Sequence, residues 1–125
     1  MLIIYNKNMK NDTWIIQLRK GIFELAILSL INIRPMYGYE ITSALNNIPA
    51  FEIANGSIYP ILKRLTKNNW AISFWEDSID GPKRKYYQIT KEGSKVLKER
   101  MEEYKQVYDA LMLLGKEGKQ VDNKG

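Results

Sequence analysis

The order of local patterns along the chain constrains its fold more than any other feature. Apolar residues recur at steps of three and four over residues 13–33 and again over 37–46, which predicts two helices. A third helix is predicted over residues 55–68, because Pro60 is tolerated only in a first turn and Asn68-Asn69 suits a left-handed helix end. Three helices therefore occupy the first half of the chain.

Two short segments, residues 70–76 and 85–90, are rich in aromatic and β-branched side chains. The residues between them have turn chemistry, so the pair predicts a β-hairpin with a long tip. Thr90 then suits the N-cap of a last helix over residues 91–114. Three helices, a hairpin and a further helix follow the order of a winged helix-turn-helix, the fold in which the third helix enters a DNA major groove.

The predicted fold class is mainly α with a small β-hairpin. It comprises a winged helix-turn-helix domain over residues 13–90 and a C-terminal dimerisation helix over residues 91–114. Residues 1–12 are expected to be a flexible lead-in, and residues 115–125, with few apolar side chains, a disordered tail. A chain of 125 residues is long enough for one domain of the usual size but not for two.

The chain contains no cysteine and no histidine. It therefore lacks disulfides, thiolate nucleophiles, Ser-His machinery and the commonest metal ligands. Carboxylates are the remaining material for an enzyme, but Asp77 and Asp80 lie on a turn, and no motif pairs a nucleophile with a base. We expect a protein that is not an enzyme and takes no cofactor and no metal.

Membrane insertion is not expected from the apolar segments. The longest of them, residues 22–33, contains Glu24 and is shorter than the ~20 residues that a membrane-spanning helix needs. The apolar run over residues 2–5 is too short for the core of a signal peptide. We therefore expect a cytoplasmic protein without a membrane partner.

Positive charge is concentrated in one central segment. The formal net charge is +5, and residues 55–91 contain seven cations and three anions. On the third helix, Tyr59, Lys63 and Lys67 are predicted to share the outward face, with Arg64 beside them. Such a face neutralises phosphates and bonds base edges, and the N–H groups at the helix N-terminus suit a phosphate. An ordinary solvated face stays open as the alternative.

The hairpin tip carries three consecutive cations, Lys83, Arg84 and Lys85. At this position in a winged fold they would lie along the DNA backbone or a minor groove, which favours DNA as the partner. A charged edge that guards the hairpin against aggregation is the alternative. Tyr86 and Tyr87 point to opposite faces of the strand, so at most one of them faces DNA and the other is expected in the core.

The last helix carries an apolar stripe with steps of four, three, four and three residues. Its members are Leu97, Met101, Tyr104, Tyr108 and Leu111. Such a stripe is either core within one chain or an interface between two. We favour the interface, because the winged domain fills its own core, and Trp14, Ile15 and Leu18 of a partner could cover the stripe. The sequence thus predicts a homodimer.

Four motifs in the same order make the chain resemble the PadR family of bacterial transcriptional regulators. They are LRKGIFELAIL over residues 18–28, MYGYEI over 36–41, GSIYPILKRL over 56–65 and GPKRKYYQITKEG over 81–93. The similarity covers roughly residues 18–111, and the single helix after the wing is similar to the shorter branch of the family.

The resemblance implies a homodimeric repressor that binds an inverted-repeat operator, with the third helix in the major groove and the wing alongside. It also implies that Tyr37 and Tyr39 lie on the second helix near the DNA backbone. Some short members of the family bind flat aromatic compounds between the protomers, and Tyr104 is the nearest counterpart here of the aromatic residue beside them. A half-exposed interface tyrosine also needs no ligand to explain it.

The candidate DNA-binding residues lie on the second helix, the third helix with the turn before it, and the wing. They are Tyr37, Tyr39, Asn55, Gly56, Ser57, Tyr59, Pro60, Lys63, Arg64, Lys83, Arg84 and Lys85. The alternative function is a winged-helix module that uses the same hairpin and helix to bind protein, without specific DNA binding. Salt dependence separates the two, because phosphate contacts make affinity fall steeply with salt.

Overall fold

A computed structural model describes the backbone of residues 13–124 and the side chains of residues 13–116. The elements are α1 (Thr13–Arg19), α2 (Ile22–Ile33), β1 (Met36–Tyr37), α3 (Gly38–Asn46), a 3₁₀ turn (Pro49–Phe51), α4 (Ile58–Lys67), β2 (Ala71–Ser78), β3 (Gly81–Ile89) and α5 (Lys91–Lys124). The predicted class, mainly α with a winged helix-turn-helix, is confirmed. The predicted lead-in over residues 1–12 lies outside the described residues.

The first predicted helix is in fact two helices. The continuous helix expected over residues 13–33 is interrupted between α1 and α2 at Gly21, whose φ is +80°. This left-handed conformation ends α1, and glycine adopts it without the steric cost that other residues pay. The apolar steps continue across the break, which is why the pattern predicted one helix.

The core lies where α2, α3 and α4 meet the sheet. Its fully buried side chains are Ile27, Leu28, Ile31, Ile41, Leu45, Ile58, Leu62 and Leu65. Ile58, Leu62 and Leu65 of α4 recur at steps of four and three and are buried on the side opposite the predicted outward face. Burial of these three residues fixes which residues of α4 point outward.

The sheet has three antiparallel strands in the order β1-β3-β2, one strand more than the predicted hairpin. β1 has only two residues, Met36 and Tyr37, which pair with Tyr87 and Tyr86. Tyr87 is buried toward the helices, while Tyr86 lies on the outward face. The prediction that one of these two tyrosines belongs to the core is confirmed.

Hydrogen bonds at one junction hold α4, the sheet and α5 together. Asn69 has φ +63°, and the Trp70 N–H donates to the Leu65 carbonyl at 3.0 Å, which closes α4 with the predicted left-handed end. The Thr90 hydroxyl accepts from the Gly93 N–H at 2.9 Å and donates to the Asn69 carbonyl at 2.7 Å. Thr90 is therefore the predicted N-cap of α5, and it also ties α5 to the end of α4.

The last helix departs from its prediction at both ends. α5 continues to Lys124, so it does not stop at Leu114, where a disordered tail was predicted to begin. The polar residues after 114 include no proline, and a helix tolerates glycine at a cost of about 1 kcal/mol each. At the other end, Leu97 is only 8% exposed and packs in the core of the winged domain. Leu97 is therefore not available as the interface residue that its place in the stripe suggested.

Candidate nucleic-acid interface

The outward face of α4 is exposed along its whole length. Tyr59, Lys63 and Lys67 lie on this face, opposite the buried residues of the same helix. Ser57, the N-cap residue of α4, makes no side-chain capping hydrogen bond, and the turn before the helix, residues 55–57, is exposed. An uncapped N-terminus beside lysine side chains is a favourable position for an anion such as a phosphate.

A groove of about 500 Å³ runs between α4 and the wing, which is formed by β2 and β3. The residues that line it are Tyr59, Lys63, Thr66, Lys67, Ser73, Lys85 and Tyr87. Three of these seven residues are lysines and none is acidic. The fold therefore brings cations of the helix and of the wing together, although 18 to 22 residues separate Lys67 and Lys63 from Lys85 in the sequence.

Aromatic rings flank the wing lysine of this groove. The Lys85 ammonium lies 5.9 Å from the ring centroid of Trp75 and 5.9 Å from that of Tyr87, within the range of a cation–π contact. Burial raises the pKa of Tyr87 above its usual value, and the nearby Tyr59 raises it further. The Tyr87 phenol therefore stays protonated at neutral pH and keeps its O–H as a hydrogen-bond donor.

The wing is less positive than its three consecutive cations suggest. Lys83 lies 4.0 Å from Asp77, and Arg84 lies opposite Glu76 in the register of β2 and β3. The Lys83–Asp77 pair is largely exposed, so it contributes little to stability, and Lys83 can exchange Asp77 for a stronger anionic partner. Sequence reasoning counted the cations of one strand and missed the acidic residues that the hairpin places across from them.

Arg64 does not share the free outward face. Its Nε atom lies 3.4 Å from the Glu24 carboxylate of α2, and its side chain is about half exposed. The contact with Glu24 occupies one N–H of Arg64 and holds it toward α2, whereas Lys63 lines the groove directly. Of these two cations, Lys63 has the better position for a contact through the groove.

The two tyrosines assigned to the second helix occupy different elements. Tyr39 lies in the first turn of α3 and is strongly exposed, as expected for a residue near the DNA backbone. Tyr37 is in β1 and precedes α3, so its placement on the helix is wrong. The short strand pairing of Met36 and Tyr37 with β3 draws Tyr37 out of the helix.

The N-terminus of α3 is already occupied by a carboxylate. Glu40 accepts a hydrogen bond from the Tyr37 N–H at 3.2 Å and another from the Arg34 guanidinium at 2.8 Å. The same hydrogen bond to Glu40 is the main reason that the pKa of Arg34 is raised. Sequence reasoning missed Arg34, an exposed cation between the helices and the sheet, because its partner lies six residues away across a turn.

Tyr59 rests directly on the first residue of α3. A β-carbon at Gly38 would lie 2.5 Å from the Tyr59 hydroxyl oxygen and 2.9 Å from its ring. Only glycine at position 38 therefore allows α4 to approach with the Tyr59 ring in this place. The absence of a side chain at Gly38 thus makes room for the Tyr59 ring at one end of the groove.

A second, apolar groove of about 330 Å³ lies between α2, the 3₁₀ turn and α5. Its walls include Leu25, Ala26, Phe51, Met101 and Tyr104. Tyr104 is 49% exposed at its edge. Beyond it, α5 presents exposed apolar side chains as far as Leu114.

The apolar residues predicted to cover the stripe lie on α1. Trp14 and Leu18 are 66% and 44% exposed, and Ile15 is half-buried. Arg19, at the end of the same helix, is 7% exposed, and among the described residues its Nε and Nη2 atoms find no hydrogen-bond acceptor. In the part of the chain that the structure describes, there is no cluster of acidic side chains fit to hold a metal ion. None of the described helices is long and apolar enough to cross a membrane.

The sequence matches a known protein family and is similar to a known bacterial protein. The model of the transcriptional regulator PadR-like family matches residues 27–99. An uncharacterised protein of Lysinibacillus sphaericus is 34% identical over 96 residues, which cover 75% of this chain and 88% of that protein.

Solved structures with the same fold include two PadR regulators. A PadR-like transcriptional regulator from Bacillus cereus is 37% identical with a TM-score of 0.70, covering 78% of this chain and 95% of the other. A PadR family transcriptional regulator from Eggerthella lenta is 28% identical with a TM-score of 0.73, covering 82% and 88%.

Proposed function

Since this chain belongs to the PadR-like family of transcriptional regulators, we propose that it is a repressor that binds an inverted-repeat operator as a homodimer. Members of the family regulate transcription and are not enzymes. The observation that carries the proposal is the groove between α4 and the wing, where Lys63, Lys67 and Lys85 converge beside Tyr59 without an acidic neighbour in the lining. The site of action of such a repressor is the cytoplasm, where a bacterial chromosome lies.

The exposed face of α4 fits a major groove, whose width admits one helix. In this arrangement the uncapped N-terminus of α4, at Asn55, Gly56 and Ser57, meets a backbone phosphate. Tyr59, Pro60 and Lys63 then face the base edges, and Lys63 is the side chain that bonds a guanine. Lys83 and Arg84 of the wing follow the adjacent backbone, and Tyr39 meets the phosphates on the opposite side.

The exposed half of α5 supports the homodimer. Its exposed apolar side chains are Met101, Tyr104, Val107, Tyr108, Leu111, Met112, Leu113 and Leu114. An exposed apolar surface of this length is a mark of a protein interface. In the proposed dimer, Trp14, Ile15 and Leu18 of one protomer pack on this surface of its partner, and Leu97 stays in the core of its own domain.

The apolar groove beside Tyr104 supports a role for an effector. Its volume of about 330 Å³ falls within the range of small-ligand sites, and Ser29 supplies one hydroxyl among apolar side chains. We propose that a flat aromatic compound binds here against Tyr104 and releases the repressor by moving α5. Isothermal titration with planar aromatic dyes tests this, and Tyr104→Ala should weaken binding at least fivefold. Equal binding by this variant would contradict the site.

The DNA-binding proposal is tested by selecting the operator from random duplexes and comparing two lysine variants. Lys63→Ala should lose about 1–3 kcal/mol on the selected operator and less on random duplex, as expected for a side chain that reads a base edge. Lys95→Ala, which removes an exposed lysine of α5 that does not line the groove, is the matched control and should bind as the wild type does. Failure to select any duplex would favour the winged module that binds protein.

The homodimer is tested by ending the chain after Arg100. This truncation keeps Leu97 and also Arg100, whose guanidinium carbon lies 4.6 Å from the ring centroid of Trp70, so the winged domain retains these two contacts with α5. Sedimentation should give a dimer for the full chain and a monomer for the truncated chain. A truncated chain that still dimerises, or a full chain that is monomeric at micromolar concentration, would contradict an interface on α5.

A further inference from the structure

The outward face of the sheet carries one aromatic ring from each strand. Tyr37 of β1 meets Tyr86 of β3 edge to face, with ring centroids 5.4 Å apart. Tyr86 in turn stacks on Phe74 of β2 at 5.8 Å, with only 12° between the ring planes. All three rings are half-buried although they lie on the side away from the helical core. We call these three residues the aromatic row.

The aromatic row ends on a wing arginine. The guanidinium carbon of Arg84 lies 4.5 Å from the centroid of the Tyr37 ring, a cation–π contact. Arg84 is two residues before Tyr86 on β3 and therefore on the same face of the sheet. Within the part of the chain that the structure describes, Arg84 forms no salt bridge, even though Glu76 lies opposite it. Its N–H donors are therefore left for another acceptor.

The row also joins two parts of the proposed DNA-binding surface. Tyr37 immediately precedes α3, and its N–H is fixed by Glu40 of that helix at 3.2 Å. Arg84 belongs to the wing, which also meets the helical part of the domain through the pairing of β1 with β3 and through its core-facing residues. The Tyr37 ring, held at the start of α3, thus holds Arg84 in place. It thereby also helps to set the distance between the wing and the helix-turn-helix.

We propose that Tyr37 is a positioning residue for the wing: its ring, and not its hydroxyl, contributes to DNA binding by holding Arg84 in the place where it meets a backbone phosphate. The inference rests on the proposed function, because it concerns how the wing contacts DNA. A planar guanidinium stacked on a ring keeps its edge free, so the stacking and a phosphate contact are compatible. The ordered arginine loses less conformational entropy on binding than a free one.

Four variants test the proposal through duplex affinity at several salt concentrations. Tyr37→Leu should weaken binding about 3–10-fold, the size expected for one exposed cation–π and one aromatic contact. Tyr37→Phe keeps the ring and should restore the wild-type affinity. Arg84→Ala should reduce the log–log salt slope by about 0.9, and adding Tyr37→Leu to it should have no further effect. Gln88→Ala is the control, because Gln88 is exposed and lies on the same face of the sheet.

The outcomes separate this inference from the proposed function. If Tyr37→Phe binds as weakly as Tyr37→Leu, the hydroxyl contacts DNA and the inference is overturned; multiplicative losses in the double variant overturn it as well. If Tyr37→Leu does not fold by circular dichroism, Arg84→Lys decides, because it keeps the charge but loses the planar stacking. Wild-type affinity in Arg84→Lys would then overturn the inference. Loss of duplex binding by the wild-type chain itself would instead contradict the proposed function.

Discussion

Gly93 lies where the first turn of α5 crosses the backbone that follows α4. A β-carbon at position 93 would overlap the Trp70 carbonyl oxygen and lie 3.0 Å from the Ile89 side chain. The Trp70 carbonyl is held in place because it accepts the Thr90 N–H at 3.0 Å. Since a backbone atom cannot rotate away, Gly93→Ala forces α5 to move off the junction as a whole.

The cost of Gly93→Ala follows from what α5 loses when it moves. Overpacking at a tight contact costs about 1–3 kcal/mol, loss of the Thr90 N-cap costs about 0.5–2 kcal/mol, and the better helix propensity of alanine returns about 1 kcal/mol. The free energy of unfolding should therefore fall by about 2 kcal/mol. For a chain of this size, that corresponds to a melting temperature lower by about 8 °C.

Thermal and urea unfolding followed by circular dichroism measure this effect, and Gly115 supplies a matched control in the same helix. A β-carbon at Gly115 would meet no atom within 4 Å. Gly115→Ala should therefore leave the melting temperature unchanged or raise it, and should increase the helical signal. A Gly93→Ala chain that melts within 1 °C of the wild type would refute the argument, because α5 would then not be clamped against the Trp70 carbonyl.

Three further substitutions have expected outcomes. Gly38→Ala should push the Tyr59 ring out of the groove and weaken operator binding about fivefold, the loss expected for one groove contact. The melting temperature should stay within a few degrees of the wild type, and unchanged affinity would mean that Tyr59 does not touch DNA. Arg19→Met should raise the free energy of unfolding by about 1–3 kcal/mol, because it removes a buried guanidinium whose Nε and Nη2 atoms have no acceptor among the described residues; a large loss in urea unfolding would contradict this. Asn69→Ala should lower the free energy of unfolding, measured in urea, by about 1 kcal/mol, and Asn69→Gly by less than half of that, because residue 69 has φ +63°. Equal losses in the two variants would contradict the left-handed cap.

Local chemistry was enough to predict the winged core and the outward face of α4. Pro60 and the buried steps of Ile58, Leu62 and Leu65 fix the start and the orientation of α4 without reference to the rest of the chain. The same holds for Thr90, whose hydroxyl needs only the helix that follows it. Features of this kind depend on neighbours a few residues away, which a pattern in the sequence contains.

What the sequence did not predict depends on contacts between distant residues. β1 consists of two residues that become a strand only by pairing with β3, some fifty residues later. Arg64 is drawn toward Glu24 from forty residues away, and Leu97 is buried because α5 crosses the domain at Gly93. The groove itself exists only once β3 lies beside α4. No periodicity within one element carries this information.

The central claim is that the basic groove binds duplex DNA, and the salt dependence of operator affinity tests it most directly. Lys63, Lys67, Lys83, Arg84 and Lys85 are the cations that the account assigns to DNA in each protomer, and each phosphate contact should contribute about −0.9 to the slope of log affinity against log salt. A dimer in which most of these residues meet phosphates should therefore give a slope of about −5 to −9 on its operator. A slope near zero, or equal affinity for duplex DNA and for an uncharged competitor, would contradict the claim.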